Sequence, residues 1–404
     1  MDRPLRIAFL HPDLGIGGSE RLVVDAALAL QAVGHRVTLF TTHHDRTRSF
    51  PETCDGTLDV QVYGNFLPLH VGQRLRAPCM IARLVYAAGA LRLRGNHVDV
   101  IFCDLVAHII PLLRLLSRAR IVFYCHFPDQ LLTPPRRGLY QAYRRPIDWL
   151  EEVALGMADR VLVNSRFTAN IFRQTFPRLR ALTPEVLYPG VDVGKDIPTQ
   201  SQRDREEDNI TILSINRYER KKNLGLALDA FVLLRERIAV GKFARLQLVI
   251  AGGYDDRRQE NRDTLHDLQL RAQQLDLAGQ VIFLRSCSDA ERAALLSRCL
   301  CVVYTPEDEH FGIVPLEAMA AGRPVVAVHS GGPLETLRHE ETGLLCAPTP
   351  PVFADALARL ILNRSEAEDM GQAGRVHVAR HFSRAAFGSR LVSIIREVAA
   401  QPGG

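Results

Sequence analysis

Short apolar runs alternate with helix-like stretches along almost the whole chain, and this rhythm occurs twice. In the first half, runs such as 7–10 and 121–125 are brief and are followed by a loop and an amphipathic stretch. Runs 210–215 and 301–304 repeat the pattern in the second half. Such alternation is typical of a parallel sheet covered by helices on both faces. The sequence therefore predicts an α/β protein with two Rossmann-like domains.

A polar stretch with little to bury, residues 189–209, separates the two halves and has the composition of an interdomain linker. With 404 residues, the chain is long enough for two domains with separate cores. We expect the domains to face each other across a cleft at the carboxyl ends of their strands, where ligands of open α/β sheets bind. The predicted organisation is a first domain at 1–190, a linker at 191–209, a second domain at 210–380, and a C-terminal helix and tail at 381–404 that can pack back on the first domain.

Two glutamates, Glu309 and Glu317, stand eight positions apart across a predicted junction between a loop and a helix. Gly312 and Pro315 lie where a strand would end and the helix would begin. Carboxylates in a cleft can accept hydrogen bonds from several hydroxyls, as sugar and ribose rings require. The alternative, which the motif alone leaves open, is a loop glutamate followed by a solvated helix glutamate.

Glycines occupy several loops that follow predicted strands. Gly17 and Gly18 lie between the first strand and the first helix, where backbone amides and a helix N-terminus favour an anion. A full dinucleotide fingerprint would need glycine at Glu20, so a hydride-transfer enzyme is disfavoured. Gly252 and the pair 331–332 suit close backbone contact with a base, a phosphate or a hexose, and the alternative for each is a plain turn.

Basic residues follow the first strand of the second half. We expect Arg217 on the loop and Lys222 at the start of the next helix, with both side chains converging on a diphosphate. No Asp-x-Asp triplet occurs in the chain, and no His/Cys cluster has zinc-site spacing. We therefore expect no metal, since Arg217 and Lys222 can neutralise a leaving diphosphate directly.

The first half offers three acceptor-side candidates at strand ends. His126 follows the predicted strand 121–125, where it could donate to a sugar hydroxyl or contact a developing cation. A purely structural role for a lone histidine at this position is the alternative. Asp13 and Asp129 are the two acids that follow predicted strands nearby.

The net charge of +5 is modest, but Arg74 to Arg94 is locally basic and partly apolar. We interpret this stretch as a membrane-facing or phosphate-facing surface, and an ordinary solvated basic face is the alternative. Lipid contact would involve Arg74, Arg76, Arg83, Leu84, Val85 and Leu91. No apolar run reaches the roughly 18 to 20 residues that a membrane span needs. The eight cysteines lack a C-x-x-C pair, which suits a reducing compartment.

Together, Gly15 to Gly18, Arg217 with Lys222, Glu309 with Glu317 and the 331–332 glycines resemble a retaining glycosyltransferase of the GT-B fold. Longer segments resemble more closely the eukaryotic α-1,3/1,6-mannosyltransferases of dolichol-linked oligosaccharide assembly. These segments are 9–22, 124–129, 147–152, 163–168 and 214–223, and the likeness runs from about Leu5 to Phe382.

The resemblance implies GDP-mannose as donor, no cofactor, and a mannosyl-chitobiosyl-diphosphodolichol acceptor that receives an α-1,3 and then an α-1,6 mannose. It places the enzyme at the cytosolic face of the endoplasmic reticulum membrane, where it can form a complex with other mannosyltransferases of the pathway. By resemblance, Glu317 would hold the donor ribose and Glu309 the mannose. Arg217 and Lys222 would bind the diphosphate, and His126 would lie near the transferred sugar. The other donor-binding positions are Gly17, Gly18, Gly252, Phe311, Gly312 and Ile313.

Two other classes of function stay open at this point. One is another GT-B transferase that uses a different nucleotide sugar or acceptor. The other is a non-catalytic nucleotide-sugar-binding subunit, which would be expected to lack some of the cleft residues that this chain has.

Overall fold

The computed structural model describes residues 3–70, 76–94, 97–133, 138–194 and 209–401. The chain forms two compact units, one comprising Met1–Gly190 with Arg384–Gly404 and the other comprising Val191–Ser383. Most of the predicted linker, residues 195–208, lies outside the described residues, as does Arg74 of the predicted basic surface.

The first unit contains a seven-stranded parallel sheet in the order β3-β2-β1-β4-β5-β6-β7. Its central strands β4 and β5 are buried on both faces and are therefore mostly apolar, with Asp104 at the end of β4 and Arg120 at the start of β5 as charged exceptions. The strands are β1 Arg6–Asp13, β2 Arg36–His43, β3 Asp59–Val62, β4 Val100–Asp104, β5 Arg120–Cys125, β6 Arg160–Val163 and β7 Glu185–Val186.

Helices cover both faces of this sheet, because successive side chains of a strand point to opposite faces. On one face, Phe9 and Phe102 pack with the first helix and with the C-terminal helix. On the other face, Ala8 and Ile101 pack with the helices between β3 and β7. The helices are α1 Gly18–Ala32, α2 Arg76–Arg94, α3 Ile110–Leu116, α4 Asp129–Leu132, α5 Leu139–Leu155, α6 Arg166–Thr175 and, from the chain's end, Arg384–Ala400.

The second unit contains a six-stranded parallel sheet in the order β10-β9-β8-β11-β12-β13. Its strands are β8 Ile210–Ile215, β9 Leu246–Gly252, β10 Val281–Arg285, β11 Cys301–Tyr304, β12 Val325–Val328 and β13 Gly343–Cys346. The helices are α7 Gly225–Leu233, α8 Val240–Phe243, α9 Gln259–Gln274, α10 Asp289–Arg298, α11 Ile313–Ala320, α12 Pro333–Thr336, α13 Pro350–Leu362 and α14 Arg364–His381, so that Arg384–Ala400 is α15.

In each sheet the strand order reverses once, at β1/β4 in the first unit and at β8/β11 in the second. Loops leave the sheet in opposite directions at such a reversal, which opens a crevice at the carboxyl ends of the two strands. The predicted site residues of each unit lie at strand ends, in loops and on the first turns of helices at or beside these reversals.

The side of α2 that was predicted to face lipid contacts the core instead. Leu84 and Leu91 are buried in the core, and Arg83 is also buried. The Arg83 guanidinium donates to the Thr42 carbonyl at 2.6 Å and to the Leu67 carbonyl at 2.9 Å, so it anchors α2 to its own unit. Val85 is exposed. In the ranges that the structure describes, the search for a helix with the length and apolarity of a membrane span found none.

Candidate functional site

The loop between β11 and α11 carries Glu309, and the helix itself carries Glu317. Gly312 has φ +77 at the N-cap of α11, and a Cβ there would also approach the Tyr304 hydroxyl at 3.3 Å. Because that backbone conformation is costly for any other residue, glycine allows the abrupt change from loop to helix. The predicted start of a helix at Gly312 and Pro315 is therefore correct, but the preceding strand ends earlier than predicted, at Tyr304.

The glycine pair 331–332 packs directly against the backbone of this loop. The Gly332 amide donates to the Glu309 carbonyl at 2.7 Å. A Cβ at Gly332 would lie 2.1 Å from the Phe311 carbonyl oxygen, and one at Gly331 would lie 2.6 Å from the Glu309 carbonyl oxygen. The glycines thus let two loops touch through their backbones, and this fixes where the Glu309 side chain emerges.

Lys222 and Glu309 form an ion pair between Nζ and Oε2. Lys222 does not start a helix, as the sequence suggested, but ends a short 3₁₀ turn, and it is buried. Thr305 Oγ1 donates to the Lys222 carbonyl at 2.7 Å, which ties the turn to the glutamate loop. Burial disfavours the Glu309 carboxylate, but the neighbouring Lys222 ammonium outweighs this and lowers the pKa of Glu309. The Glu309 carboxylate is therefore ionised at neutral pH.

Glu317 has a different environment on the first turns of α11. Burial raises the pKa of Glu317, and Arg292 on α10 offsets only part of that effect from 3.3 Å. Arg292 is a partner that sequence analysis did not identify, since it lies on another helix 25 positions earlier. Phe311 is buried with its ring 6.3 Å from that of Phe382, whereas Ile313 is exposed.

Arg217 is an exposed cation on the loop after β8. Its side chain is 58% exposed, and Nη1 lies 3.1 Å from Oε1 of Glu219. Glu219 is buried and also pairs with Lys221 and Arg258, each at 3.4 Å. Three cations therefore share one carboxylate, and the loop keeps an excess of positive charge with which it can attract an anion.

Gly252 ends β9, where the loop after β8 crosses it. A Cβ at Gly252 would lie 1.8 Å from the Asn216 carbonyl oxygen, whereas one at Gly253 would meet only the Arg217 side chain, at 3.2 Å. Glycine at 252 thus allows the loop that carries Arg217 to lie flat against the end of the strand.

Replacing Gly252 by alanine is expected to lower the free energy of unfolding by about 3 kcal/mol or more, because the backbone has to move to admit the methyl group. The matched control is Gly253→Ala, whose methyl group displaces only a flexible arginine and should cost less than about 1 kcal/mol. Urea denaturation of both variants checks this. Equal losses would mean that the crossing of the two backbones is looser than described.

In the first unit, His126 belongs to a cluster that the sequence only partly indicated. Its Nε2 lies 2.9 Å from Oδ2 of Asp104, and Oδ1 of the same carboxylate lies 2.6 Å from Nδ1 of His11. Asp104 and His11 are buried and were not predicted as site residues. The signal that could have identified Asp104 is its position: an acid ends the buried strand β4, beside the reversal at β1.

Opposite charges compensate one another within this cluster. Burial disfavours the charged form of Asp104, but His11 and His126 outweigh this effect and lower the pKa of Asp104 to about 2. Burial also disfavours the charged form of His11, but the carboxylates of Asp104 and Glu20 outweigh this effect and raise the pKa of His11 to about 10. Glu20 Oε1 lies 3.8 Å from His11 Nε2. Glu20, which breaks the dinucleotide fingerprint, therefore contributes to this charge network.

The remaining candidates of the first unit lie around the same strand ends. Gly17 is the N-cap of α1, and a Cβ there would lie 2.2 Å from Oε2 of Glu20, while Gly18 begins the helix with open space around it. Asp13 is exposed at the end of β1. These three positions are accessible to a ligand from the carboxyl edge of the sheet.

Asp129 begins α4, and its carboxylate is already paired with the buried Arg144 at 2.7 Å. The Asp129 and Gln130 amides donate to Glu151 at 2.8 and 3.3 Å. Burial raises the pKa of Glu151 to about 7 although both amides favour its charged form. A ligand at Asp129 would therefore share the carboxylate with Arg144. Among the described residues, no group of three His, Cys, Asp or Glu side chains could hold a metal ion.

Two family profiles match the chain. One, described as Glycosyltransferase Family 4, matches residues 16–195, and the other, described as Glycosyl transferases group 1, matches residues 196–377. The matches together span both units.

Named relatives cover nearly the full length. The alpha-1,3/1,6-mannosyltransferase ALG2 of Mus musculus is 47% identical over 97% of this chain and 96% of its own. That of Homo sapiens has the same identity and coverage. The Saccharomyces cerevisiae protein of the same name is 40% identical over 94% of this chain and 82% of its own.

Solved structures agree in fold. Sucrose-phosphate synthase from Thermosynechococcus elongatus has a TM-score of 0.79 at 23% identity, covering 98% of this chain and 99% of its own. Anabaena HepE in complex with UDP has a TM-score of 0.74 at 20% identity, covering 97% of this chain and 100% of its own. The predicted GT-B fold is therefore confirmed.

Proposed function

Because this chain belongs to the family of α-1,3/1,6-mannosyltransferases, we propose that it transfers mannose from GDP-mannose to a mannosyl-chitobiose linked to dolichol through a diphosphate. The chain is a glycosyltransferase. The donor, the lipid acceptor and the order of the two linkages, α-1,3 and then α-1,6, are parts of the proposal.

The observation that carries the proposal is the Lys222–Glu309 ion pair at the strand-order reversal of the second unit. A glycosyl diphosphate divides into two oppositely charged parts as its anomeric bond breaks. Lys222, with the exposed Arg217 nearby in sequence on the same loop, supplies donors for the departing diphosphate. Glu309 supplies a carboxylate for the sugar, whose anomeric carbon becomes electron-poor.

In the proposed reaction, the bond between the mannose C1 and the GDP oxygen breaks while a hydroxyl oxygen of the acceptor bonds to C1 on the same face. The hydroxyl proton passes to an oxygen of the departing phosphate. Since its pKa is lowered, Glu309 stays ionised and supports the positive charge on the sugar without accepting that proton. Glu317 accepts hydrogen bonds from the ribose, and the backbones of Phe311, Gly312, Ile313 and Gly252 contact the donor.

The first unit is proposed to supply His126 near the transferred sugar, Gly17 and Gly18 to the donor, and Asp13 and Asp129 to the acceptor. No resident metal is part of the proposed mechanism, since Arg217 and Lys222 take its place. We also propose that the protein associates with other mannosyltransferases of the pathway at the cytosolic face of the endoplasmic reticulum. Co-purification from that membrane tests this association.

The decisive experiment is an assay with purified protein, GDP-mannose and a short-chain diphosphate-linked acceptor, followed by linkage analysis of the product. We expect an α-1,3 product that is converted to a product with a second, α-1,6 mannose. Parallel reactions use GDP-glucose and UDP-sugars. Turnover with one of these donors instead of GDP-mannose would identify the protein as a GT-B transferase with a different donor. Absence of turnover with every donor, despite donor binding, would indicate a non-catalytic subunit.

We propose that the exposed face of α2 contacts the membrane. Val85, Tyr86 and Leu93 are exposed there, and the exposed Phe66 packs edge-on against Tyr86 with 5.0 Å between ring centroids. Arg92 and Arg94 are exposed in the last turn. An apolar face flanked by arginines suits an anionic bilayer surface.

Liposome flotation should show binding that falls about tenfold or more when Phe66, Tyr86 and Leu93 are all replaced by serine, because apolar burial drives interfacial binding. The control is Val240→Ser, an 83% exposed apolar residue of the second unit, which should leave binding unchanged. Binding that survives the triple substitution would place the anchor elsewhere.

A further inference from the structure

His126 is held from three sides in the first unit. Its backbone carbonyl accepts from Asn164 Nδ2 at 3.0 Å, and its ring centroid lies 4.7 Å from that of Tyr124. Tyr124 is itself fixed, since its hydroxyl donates to the Leu187 carbonyl at 2.9 Å. Asp104 Oδ2 completes the arrangement at 2.9 Å from Nε2. Such support defines one ring orientation although 21% of the side chain is exposed.

The carboxylate also determines which nitrogen of a neutral His126 carries the proton. An ionised carboxylate only accepts hydrogen bonds, so the nitrogen that faces Asp104 must be N–H. Nε2 is that nitrogen, and Nδ1 of the neutral ring is then left with a lone pair. Nδ1 can accept a hydrogen bond from a hydroxyl, which the opposite tautomer could not do.

His11 keeps Asp104 in its ionised form. Its Nδ1 donates to the second carboxylate oxygen at 2.6 Å, and its Nε2 faces Glu20 at 3.8 Å. The carboxylate is buried, and each of its oxygens faces one histidine nitrogen, so these two contacts hold its orientation. The positive charge of His11 partly neutralises the Asp104 carboxylate. Asp104 therefore orients His126 without exposing its ring to an uncompensated negative charge.

We propose that Asp104 is a positioning residue for mannosyl transfer: held by His11, it fixes the ring and tautomer of His126 so that Nδ1 accepts a hydrogen bond from a sugar hydroxyl. This inference rests on the proposed function of His126. It assigns a role to two buried residues that touch no substrate, and it gives the polarity of the hydrogen bond that His126 makes.

The tautomer can be measured without activity. Nitrogen NMR of histidine-labelled protein, with the His126 signals identified by their loss in His126→Gln, should show Nε2 protonated and Nδ1 unprotonated in the neutral ring. A predominantly Nδ1-protonated ring in the unsubstituted protein would overturn the proposal. In Asp104→Asn the tautomer should become mixed, while Tyr124→Phe, which removes another buried hydrogen bond beside the ring, should leave it unchanged.

A double-mutant cycle tests the functional part. Asp104→Asn should lower the turnover number by about 10- to 100-fold, as for carboxylates that orient metal-bound histidines. In a His126→Gln background the same substitution should change turnover by no more than about twofold. Equal losses in both backgrounds would show that Asp104 acts only on the fold and would overturn the proposal. A lack of mannosyl transfer by the unsubstituted enzyme would instead refute the proposed function and leave the tautomer measurement valid.

Discussion

Lys222→Ala is expected to lower the turnover number of mannosyl transfer by about 100- to 1,000-fold, the effect of removing one preorganised donor from a developing anion. Lys222 is buried and paired with Glu309, so its ammonium is already in place before the donor arrives. Preorganisation matters because no reorganisation has to occur as the bond to the diphosphate breaks. Steady-state kinetics at saturating donor measures the effect.

Lys221→Ala is the matched control. Lys221 is the adjacent lysine, is 68% exposed, and pairs with Glu219 instead of Glu309. Its removal takes the same charge from the same turn, so a general loss of positive potential would affect both variants equally. We expect Lys221→Ala to keep turnover within about threefold, as for a solvent-screened charge. If the two variants behave alike, Lys222 has no specific role in catalysis.

Stability has to be followed separately, because Lys222→Ala leaves the partly buried Glu309 without its partner. Loss of that pair should lower the free energy of unfolding by roughly 1–3 kcal/mol. Thermal unfolding detects this, and activity is compared at a temperature where both proteins are folded. A variant that is folded and still turns over within tenfold of the unsubstituted enzyme contradicts the assignment.

The strands near the centres of the two sheets are predictable from sequence, because they are buried on both faces and are therefore short apolar runs. Runs 121–125 and 301–304 correspond to β5 Arg120–Cys125 and β11 Cys301–Tyr304. The strands that sequence analysis did not identify include β3 and β13, which lie at sheet edges. β3, with the sequence Asp-Val-Gln-Val, has no buried position and therefore carries little apolar signal, whereas β13 is mostly buried but is only four residues long.

The helix start at Gly312 was predictable from the sequence, but the partners of the candidate site residues were not. Gly312 marks the loop-to-helix junction through its sequence context alone. By contrast, the Lys222–Glu309 pair joins residues 87 positions apart, and the Asp104–His11 contact joins residues 93 positions apart. Such contacts depend on strand order, which periodicity does not contain. For the same reason the side of α2 that contacts the core was assigned wrongly: Arg83 looked solvated, and its acceptors lie on another strand and loop.

Glu309→Gln and Glu317→Gln should impair different steps. Glu309 lies beside Lys222 on the loop, and its carboxylate stabilises the sugar more as positive charge grows on it. Its loss should therefore lower the turnover number by about 100-fold or more, with a smaller change in the donor Michaelis constant. Glu317 lies on α11 and is proposed to bind ribose hydroxyls that are equally present in the ground and transition states. Its loss should raise the donor Michaelis constant by about 10- to 100-fold with turnover nearly unchanged.

Both substitutions keep the shape of the side chain and remove one negative charge, so packing cannot account for a difference between them. Glu307→Gln is the control, since Glu307 is an exposed glutamate of the same loop and should change neither constant by more than about twofold. Donor saturation curves at fixed acceptor, with circular dichroism to verify folding, give both constants for each variant. If Glu309→Gln keeps full turnover while Glu317→Gln abolishes it at saturating donor, the two roles must be exchanged, and the carboxylate that supports the reacting sugar is then the one on the helix.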